Sequence, residues 1–295
     1  MARRPGRVTL LSLAVGIAVV GVGAAALVLA RSPRADRDWT VDQAVAARIT
    51  LGPDSVRIAA LRNFRHRPGG ESVPAYEDVA YALDDVRGVW FALAPFARRW
   101  RGLAHSFVSF ELSGGRFVSV SVEARREVDE SYSLLGGLLR AFEVAYVVGT
   151  EEDVVGLRAV RGDTLFLYPS RATPEQARAL FVDMLGRAEA LRSRPEFYHT
   201  LTNNCATNLR DHVNRVAPEP LPYGWAVVFP GYSDRLALEH GLLDTELPLE
   251  EARTRFRVDE RARAALAEGG DFSTRIRQGN LPASSDPRPP SPDAP

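Results

Sequence analysis

The chain contains one cysteine, Cys205, and the residues around it are typical of a nucleophile. Thr202, Asn203 and Asn204 precede it, and their side chains are suited to accept hydrogen bonds from the first turn of a helix. Apolar residues then recur at spacings of four and three, which predicts that helix. The positive end of a helix dipole favours a thiolate. Because free cysteine is also often buried, an inert core cysteine is the alternative interpretation.

A cysteine nucleophile needs a base, which is usually a histidine. His212 lies on the same predicted helix as Cys205, about 10 Å along its axis, and is too far away for a direct hydrogen bond. His66 lies in an arginine- and glycine-rich stretch that is typical of a loop. His199 precedes the helix start by an offset of six residues, which constrains its geometry little. His105 is favoured because it begins a strand whose pairing can be predicted.

Two alternating segments, 106–112 and 117–123, flank the turn residues 113–115 and predict a β-hairpin. The apolar faces of both strands match if Leu112 pairs with Arg116. A slip of one residue would turn every side chain to the other face, so this register is favoured.

In that register His105 lies opposite Glu123. Directly opposed side chains have Cβ atoms about 4.5–5.5 Å apart, so this carboxylate would orient the imidazole and stabilise its charge. A slip of two residues keeps the faces and places Ser121 or Arg125 opposite His105 instead. The alternative interpretation is a hydrogen-bonded histidine at a strand edge and a solvated glutamate.

The remaining pattern predicts an α+β fold. The segment Tyr76–Trp100 fits either a helix or a strand and loop, because its period does not decide between them. Thr173 caps a long helix that begins at Pro174. Predicted strands cover 142–148, 154–160 and 164–168, and predicted helices cover 39–49, 174–192 and 233–242.

Composition excludes several classes of function. With 37 basic and 37 acidic residues, the chain has no net charge, which argues against a nucleic-acid partner. All basic residues are arginine, so Schiff-base lysines and lysine-dependent phosphate loops are absent. A single cysteine cannot form an intramolecular disulfide or a cysteine-rich metal site. No metal and no cofactor are expected.

The N-terminus predicts a membrane anchor. Residues 8–30 are uncharged and mostly apolar, and they follow Arg3, Arg4 and Arg7. About 20 such residues cross a bilayer, whereas the core of a cleaved signal peptide has about 7–15. Cleavage after Ala30 is the alternative. We expect the C-terminal domain to lie outside the cytoplasm.

Composition and pattern together divide the chain into five parts. These are a cytoplasmic N-terminus (1–7), a transmembrane anchor or signal (8–30), a juxtamembrane linker (31–55), a catalytic domain (56–268) and a disordered Pro/Ser-rich tail (269–295).

Four ordered motifs carry a resemblance to a known family. They are Ala104–Phe110, Ser121–Glu127, Phe197–Cys205 and Gly231–Asp234. Across about Val56 to Asp244 the chain resembles the Lnb N-terminal periplasmic domain family, long described as a domain of unknown function.

That family is similar to the circularly permuted papain-like superfamily, in which the histidine strand precedes the cysteine helix, as in lecithin:retinol acyltransferase-like proteins. The resemblance implies Cys205 as nucleophile, His105 as general base and Glu123 as the third polar group. His199 stands where asparagine or aspartate is expected, and it is assigned no catalytic role. The family's namesake is implicated in N-acylation of bacterial lipoproteins, but its membrane helices follow the domain, whereas here one helix precedes it.

We therefore predict a membrane-anchored papain-like domain, an antiparallel sheet packed on helices, that acts as a thiol acyltransferase or acyl hydrolase. Asn203, Asn204 and Arg125 are assigned to substrate binding. The expected partners are the bilayer and a lipid or lipoprotein substrate, and the expected location is the inner membrane as a single-pass protein with its domain in the periplasm or outside the cell. The alternatives are a cysteine amidase or peptidase acting on cell-wall peptides and a non-catalytic envelope-binding module.

Overall fold

The computed structural model describes residues 7–67, 71–97 and 100–279 and shows an α+β fold. The strands are β1 (Arg48–Leu51), β2 (Ser55–Arg62), β3 (Arg65–His66), β4 (Ser72–Val73), β5 (Tyr76–Ala82), β6 (Val86–Pro95), β7 (Ala104–Leu112), β8 (Arg116–Arg125), β9 (Glu143–Thr150) and β10 (Phe166–Pro169). The helices are α1 (Arg7–Leu29), α2 (Val41–Ala44), α3 (Leu134–Leu138), α4 (Glu151–Val160), α5 (Pro174–Ser193), α6 (Cys205–Val216), α7 (Trp225–Val228), α8 (Ser233–Glu239), α9 (Leu249–Arg255), α10 (Asp259–Glu268) and α11 (Phe272–Arg277).

One large sheet organises the domain. Its strand order is β1-β2-β9-β8-β7-β6-β10, and β5 also pairs with β2. The pairing is antiparallel except between β2 and β9, which run parallel at Arg62 and Gly149. The expectation of a purely antiparallel sheet is therefore wrong, because β8 sets the direction of β9 while β1 and β5 set that of β2. The sheet is mixed.

The predicted hairpin is confirmed. β7 and β8 pair with Leu112 opposite Arg116 and remain in that register to Phe107 opposite Ser121. The alternating pattern fixed this register because both faces of the hairpin are covered. One face packs into the main core with α5 and α6, and the other faces a second cluster under α4, α10 and α11.

The segment predicted as a strand at 154–160 is instead the helix α4. Thr150 caps it by accepting a hydrogen bond from the amide of Asp153 at 3.3 Å. Acidic residues fill the first turn, where the helix dipole favours them. The valines of this segment indicated a strand, but the cap and the acidic first turn outweigh that preference.

Other boundaries also differ from the prediction. The helix expected at 39–49 is limited to α2, after which β1 pairs with β2, so the folded domain begins before residue 56. The segment 76–100 contains β5 and β6. The tail expected from 269 begins with the packed helix α11, and the last predicted tail residues, 280–295, lie outside the described residues.

The apolar N-terminal segment forms the helix α1. Among the residues that the structure describes, no helix has both the length and the apolar character needed to cross a membrane. The anchor stays a prediction.

Candidate functional site

His105 and Glu123 meet on one face of the β7–β8 hairpin. The Nε2 atom of His105 lies 3.1 Å from Oε1 of Glu123 and 2.6 Å from Oγ of Ser121. Ser121 donates its own hydroxyl hydrogen to Glu123 at 2.9 Å. The carboxylate therefore holds the imidazole both directly and through a serine, which leaves Nδ1 of the ring for another partner.

Cys205 is the first residue of α6, as its flanking sequence predicted. The side chain of Asn204 accepts from the amide of Thr207 at 2.9 Å, and the Thr207 side chain accepts from the amide of Asn204 at 2.8 Å. This reciprocal pair is a capping box, which satisfies orphan donors and fixes where the helix begins. The thiol is thereby held at the positive end of a twelve-residue helix.

The thiol and the imidazole meet where the β7–β8 ladder ends. The β7–β8 pairing stops at Phe107 and Ser121, and the backbone N–H of Ser106 donates to the sulfur of Cys205. A hydrogen bond also joins the side chains of Cys205 and His105. Both side chains are almost fully buried, with 6% and 4% of their residue surface exposed.

The surroundings favour an ion pair between these two groups. Burial disfavours the charged imidazole, but the Glu123 carboxylate and the hydrogen bond to Cys205 together outweigh burial and raise the pKa of His105 to about 9. Burial raises the pKa of the Cys205 thiol, but the hydrogen bond and charge of His105 outweigh burial and lower that pKa below its ordinary value. The arrangement therefore stabilises a thiolate beside an imidazolium.

Arg158 of α4 completes the arrangement. Its guanidinium donates to Oε1 of Glu123 at 2.8 Å. Burial disfavours the carboxylate, but the charges of His105 and Arg158 hold the pKa of Glu123 well below its usual range. Glu123 is therefore ionised at neutral pH.

A cavity of about 280 Å³ opens onto these groups. His105, Glu123 and Cys205 all line it, as do the phenols of Tyr132 and Tyr198. The two phenol oxygens lie 3.4 Å apart, and burial, together with the charge of the thiolate, raises the pKa of both. Both phenols stay protonated at neutral pH. One hydroxyl donates to the other, which leaves a single O–H free to donate to a bound group.

The three residues predicted to bind substrate lie in different places. Asn204 lines the cavity, although its amide is engaged in the cap. Asn203 donates to the carbonyl of Phe197 at 2.9 Å, and Arg125 donates to backbone carbonyls of α2 and its end. Neither Asn203 nor Arg125 is among the residues lining the cavity, because both side chains are hydrogen-bonded to backbone carbonyls of neighbouring segments.

Two other histidines have carboxylate partners outside this cavity. His66 lies 2.8 Å from Asp153, and His212 lies 2.5 Å from Asp183. His199 instead contacts the hydroxyl of Thr202 at 2.9 Å within the turn before α6. In the part of the chain that the structure describes, no group of three or more histidine, cysteine, aspartate and glutamate side chains could hold a metal ion.

Sequence reasoning missed Arg158, Tyr132 and Tyr198. Arg158 lay in a segment predicted as a strand, so its position on a helix above Glu123 could not be inferred. Tyr198 did lie in one of the family motifs, seven residues before Cys205, and that proximity was the available signal. Tyr132 reaches the site only through tertiary packing.

Comparison with known proteins identifies the family of the chain. No significant match was found among curated proteins or among solved structures. The model of the Lnb N-terminal periplasmic domain matches residues 72–231, which include β7, β8 and the start of α6. This match covers more than half of the chain. The protein is therefore a member of the Lnb N-terminal periplasmic domain family.

Proposed function

We propose that the protein is a cysteine-dependent acyl hydrolase or acyltransferase of the cell envelope. The observation that carries the proposal is the buried Cys205–His105–Glu123 arrangement opening onto a cavity. A thiolate at the N-terminus of a helix, paired with an oriented imidazolium, is the form in which cysteine attacks carbonyl carbon.

The reaction has two halves. In the first, the thiolate attacks the carbonyl carbon of an ester or amide, and His105 gives its proton to the leaving oxygen or nitrogen, so that a thioester forms on Cys205. In the second, His105 takes a proton from water or an amine, which attacks the thioester and releases the thiolate. Water gives hydrolysis, and an amine gives acyl transfer.

The carbonyl oxygen of the substrate carries negative charge in the tetrahedral intermediate of each half, and the site offers two kinds of donor for it. The amides of Cys205 and Ala206 belong to the first turn of α6 and have no acceptor within the helix. The free hydroxyl hydrogen of the Tyr132–Tyr198 pair is the second donor. Removing one such donor typically slows a reaction by about 10²–10³-fold.

A second cavity supports an acyl substrate with a hydrocarbon chain. It has a volume of about 260 Å³ and lies along α6. Ala206, Leu209 and Val213 of α6 line it, together with Val89 and Val108 of the sheet. Because most of this lining is apolar, the cavity fits a lipid or lipoprotein acyl group.

The circularly permuted papain-like fold and the location are part of the same proposal. The histidine strand precedes the cysteine helix, as in that superfamily, and the family is described as a periplasmic domain. An N-terminal anchor formed by α1 would hold the cavity near a bilayer, where lipid and lipoprotein substrates are found.

The pH dependence of Cys205 alkylation by iodoacetamide tests the proposal. For the wild type we expect rapid labelling with an apparent pKa well below about 8.5, the value of a free thiol. His105→Ala should remove this behaviour, whereas His199→Gln, a matched change in the nearby turn, should keep it. Slow labelling that does not depend on His105, in a folded domain, would contradict the proposal.

Substrate profiling then separates the lipid substrate from the alternative. Release or transfer of a lipid acyl group by wild type, lost in Cys205→Ala, supports an acyl hydrolase or acyltransferase. Release of stem peptides or amines from cell-wall fragments, with the same dependence on Cys205, would assign the same residues to an amidase instead.

A further inference from the structure

The cavity that contains Cys205 carries an excess of positive charge. Four arginines line it, Arg62, Arg126, Arg158 and Arg161, and the lining carboxylates are Asp42 and Glu123. His105 and Cys205 cancel each other as an ion pair. A cavity with low-dielectric walls and an excess of one sign concentrates ligands of the opposite sign.

Three of these arginines already have acidic partners. Arg62 binds Asp153 through two hydrogen bonds of 2.8 and 2.9 Å. Arg158 binds Glu123, and Arg126 lies 3.6 Å from Asp42. Their charges are therefore largely compensated within the protein.

Arg161 is different. Within the described residues its guanidinium forms no hydrogen bond and no ion pair within 4 Å, although it lies at the end of α4, one turn after Arg158. Glu123, Asp42 and Asp163 act on it only at longer range. Arg161 is exposed to solvent where it lines the cavity, and no described protein group in contact with it compensates its charge.

We propose that Arg161 binds an anionic group of the substrate, a carboxylate or a phosphate, in the cavity that contains Cys205. This inference rests on the proposed function and specifies the substrate class. A guanidinium presents paired N–H donors that match both oxyanions, and among the described arginines that line the cavity Arg161 is the one with neither a hydrogen bond nor an ion pair from its guanidinium. The substrate would then place an anion near Arg161 and its reactive carbonyl at the sulfur.

A pair of alkylating reagents tests this inference without requiring turnover. Iodoacetate and iodoacetamide both lose iodide when the thiolate attacks their methylene carbon, but only iodoacetate is an anion. We expect the ratio of the iodoacetate rate to the iodoacetamide rate to fall by about twofold to fivefold in Arg161→Gln, the range for loss of one ion pair at an exposed site. Arg57→Gln, at an exposed position on β2 outside the cavity, should leave the ratio unchanged.

The outcomes of this experiment are separable from those of the proposed function. An unchanged ratio in Arg161→Gln, with Cys205 still activated by His105, would overturn the anion site alone. Slow labelling by both reagents that does not depend on His105 would overturn the proposed function and, with it, this inference.

Matched substrates then identify the anion. Hydrolysis of 4-nitrophenyl valerate is compared with that of mono-4-nitrophenyl glutarate, in which a carboxylate replaces the terminal methyl group. Hydrolysis of a short-chain diacylglycerol is likewise compared with that of the corresponding phosphatidic acid. A preference for the charged member that falls in Arg161→Gln assigns a carboxylate or a phosphate, respectively. No preference in either pair would contradict the proposal.

Discussion

Replacing Glu123 with glutamine should abolish the ion pair between Cys205 and His105 while keeping the shape of the site. The Glu123 charge is the main cause that raises the pKa of His105 from 6.5 to about 9, against burial and the charge of Arg158. At about 1.36 kcal/mol per pH unit, this difference corresponds to about 3 kcal/mol in favour of the imidazolium. Without the carboxylate, the pKa of His105 should return to 6.5 or below.

The protonated fraction of His105 should therefore fall strongly at pH 8. An imidazole with a pKa of about 9 is roughly 90% protonated there, and one with a pKa of 6.5 is roughly 3% protonated, a change of about thirtyfold. Since 24% of the Glu123 side chain is exposed, solvent screens part of its effect. An ordinary thiol with a pKa of about 8.5 is still roughly 24% thiolate at pH 8, so we expect Glu123→Gln to slow iodoacetamide alkylation of Cys205 there by about threefold to fourfold.

The assay is a full pH profile of alkylation for the wild type, Glu123→Gln and Glu77→Gln, an exposed control on β5. In the wild type the ion pair should persist up to the pKa of His105 and be lost above about pH 9 as the imidazolium deprotonates. The variant should show a single rise near the pKa of an ordinary thiol. If the profile of Glu123→Gln overlays that of the wild type, the carboxylate does not hold the imidazolium and the reasoning is wrong.

Three further predictions concern the framework of the site. Gly231→Ala should destabilise the protein by about 1–3 kcal/mol, because a Cβ there would lie 1.4 Å from the carbonyl oxygen of Arg101; an unchanged melting temperature would contradict this packing. Glu151→Gln should cost about 3–5 kcal/mol in urea unfolding, because it leaves the buried guanidinium of Arg277 without its carboxylate; a loss below about 1 kcal/mol would show that α11 does not depend on this ion pair. Asn204→Ala should cost about 1 kcal/mol through loss of the helix cap and should also slow alkylation of the thiol, whereas loss of stability with normal alkylation would show that the cap does not orient the thiol.

The parts of the site that depend on local pattern could be predicted from sequence. The alternation of β7 and β8 fixed the register that brings His105 to Glu123, and the polar residues before Cys205 fixed the start of α6. Both signals are short-range, because one comes from the pleat of a hairpin and the other from helix capping.

The parts that depend on packing could not be predicted. The valines of α4 have a preference for strands, and only the cap at Thr150 and the tertiary contacts of α4 decide in favour of a helix. Arg158 and Arg161 reach the cavity because this segment is a helix. Their positions therefore could not be predicted from a segment that was expected to be a strand. The parallel pairing of β2 with β9 likewise joins segments far apart in the chain, for which no local pattern exists.

Mass spectrometry of the protein during turnover tests the central claim most directly. After mixing with 4-nitrophenyl acetate and quenching in acid, wild type should carry one acetyl group on Cys205 as a thioester that hydroxylamine removes, and His105→Ala should carry much less. Hydrolysis of the ester by a folded protein whose Cys205 is never acetylated, or equal acetylation in His105→Ala, would contradict the assignment of Cys205 as a nucleophile activated by His105.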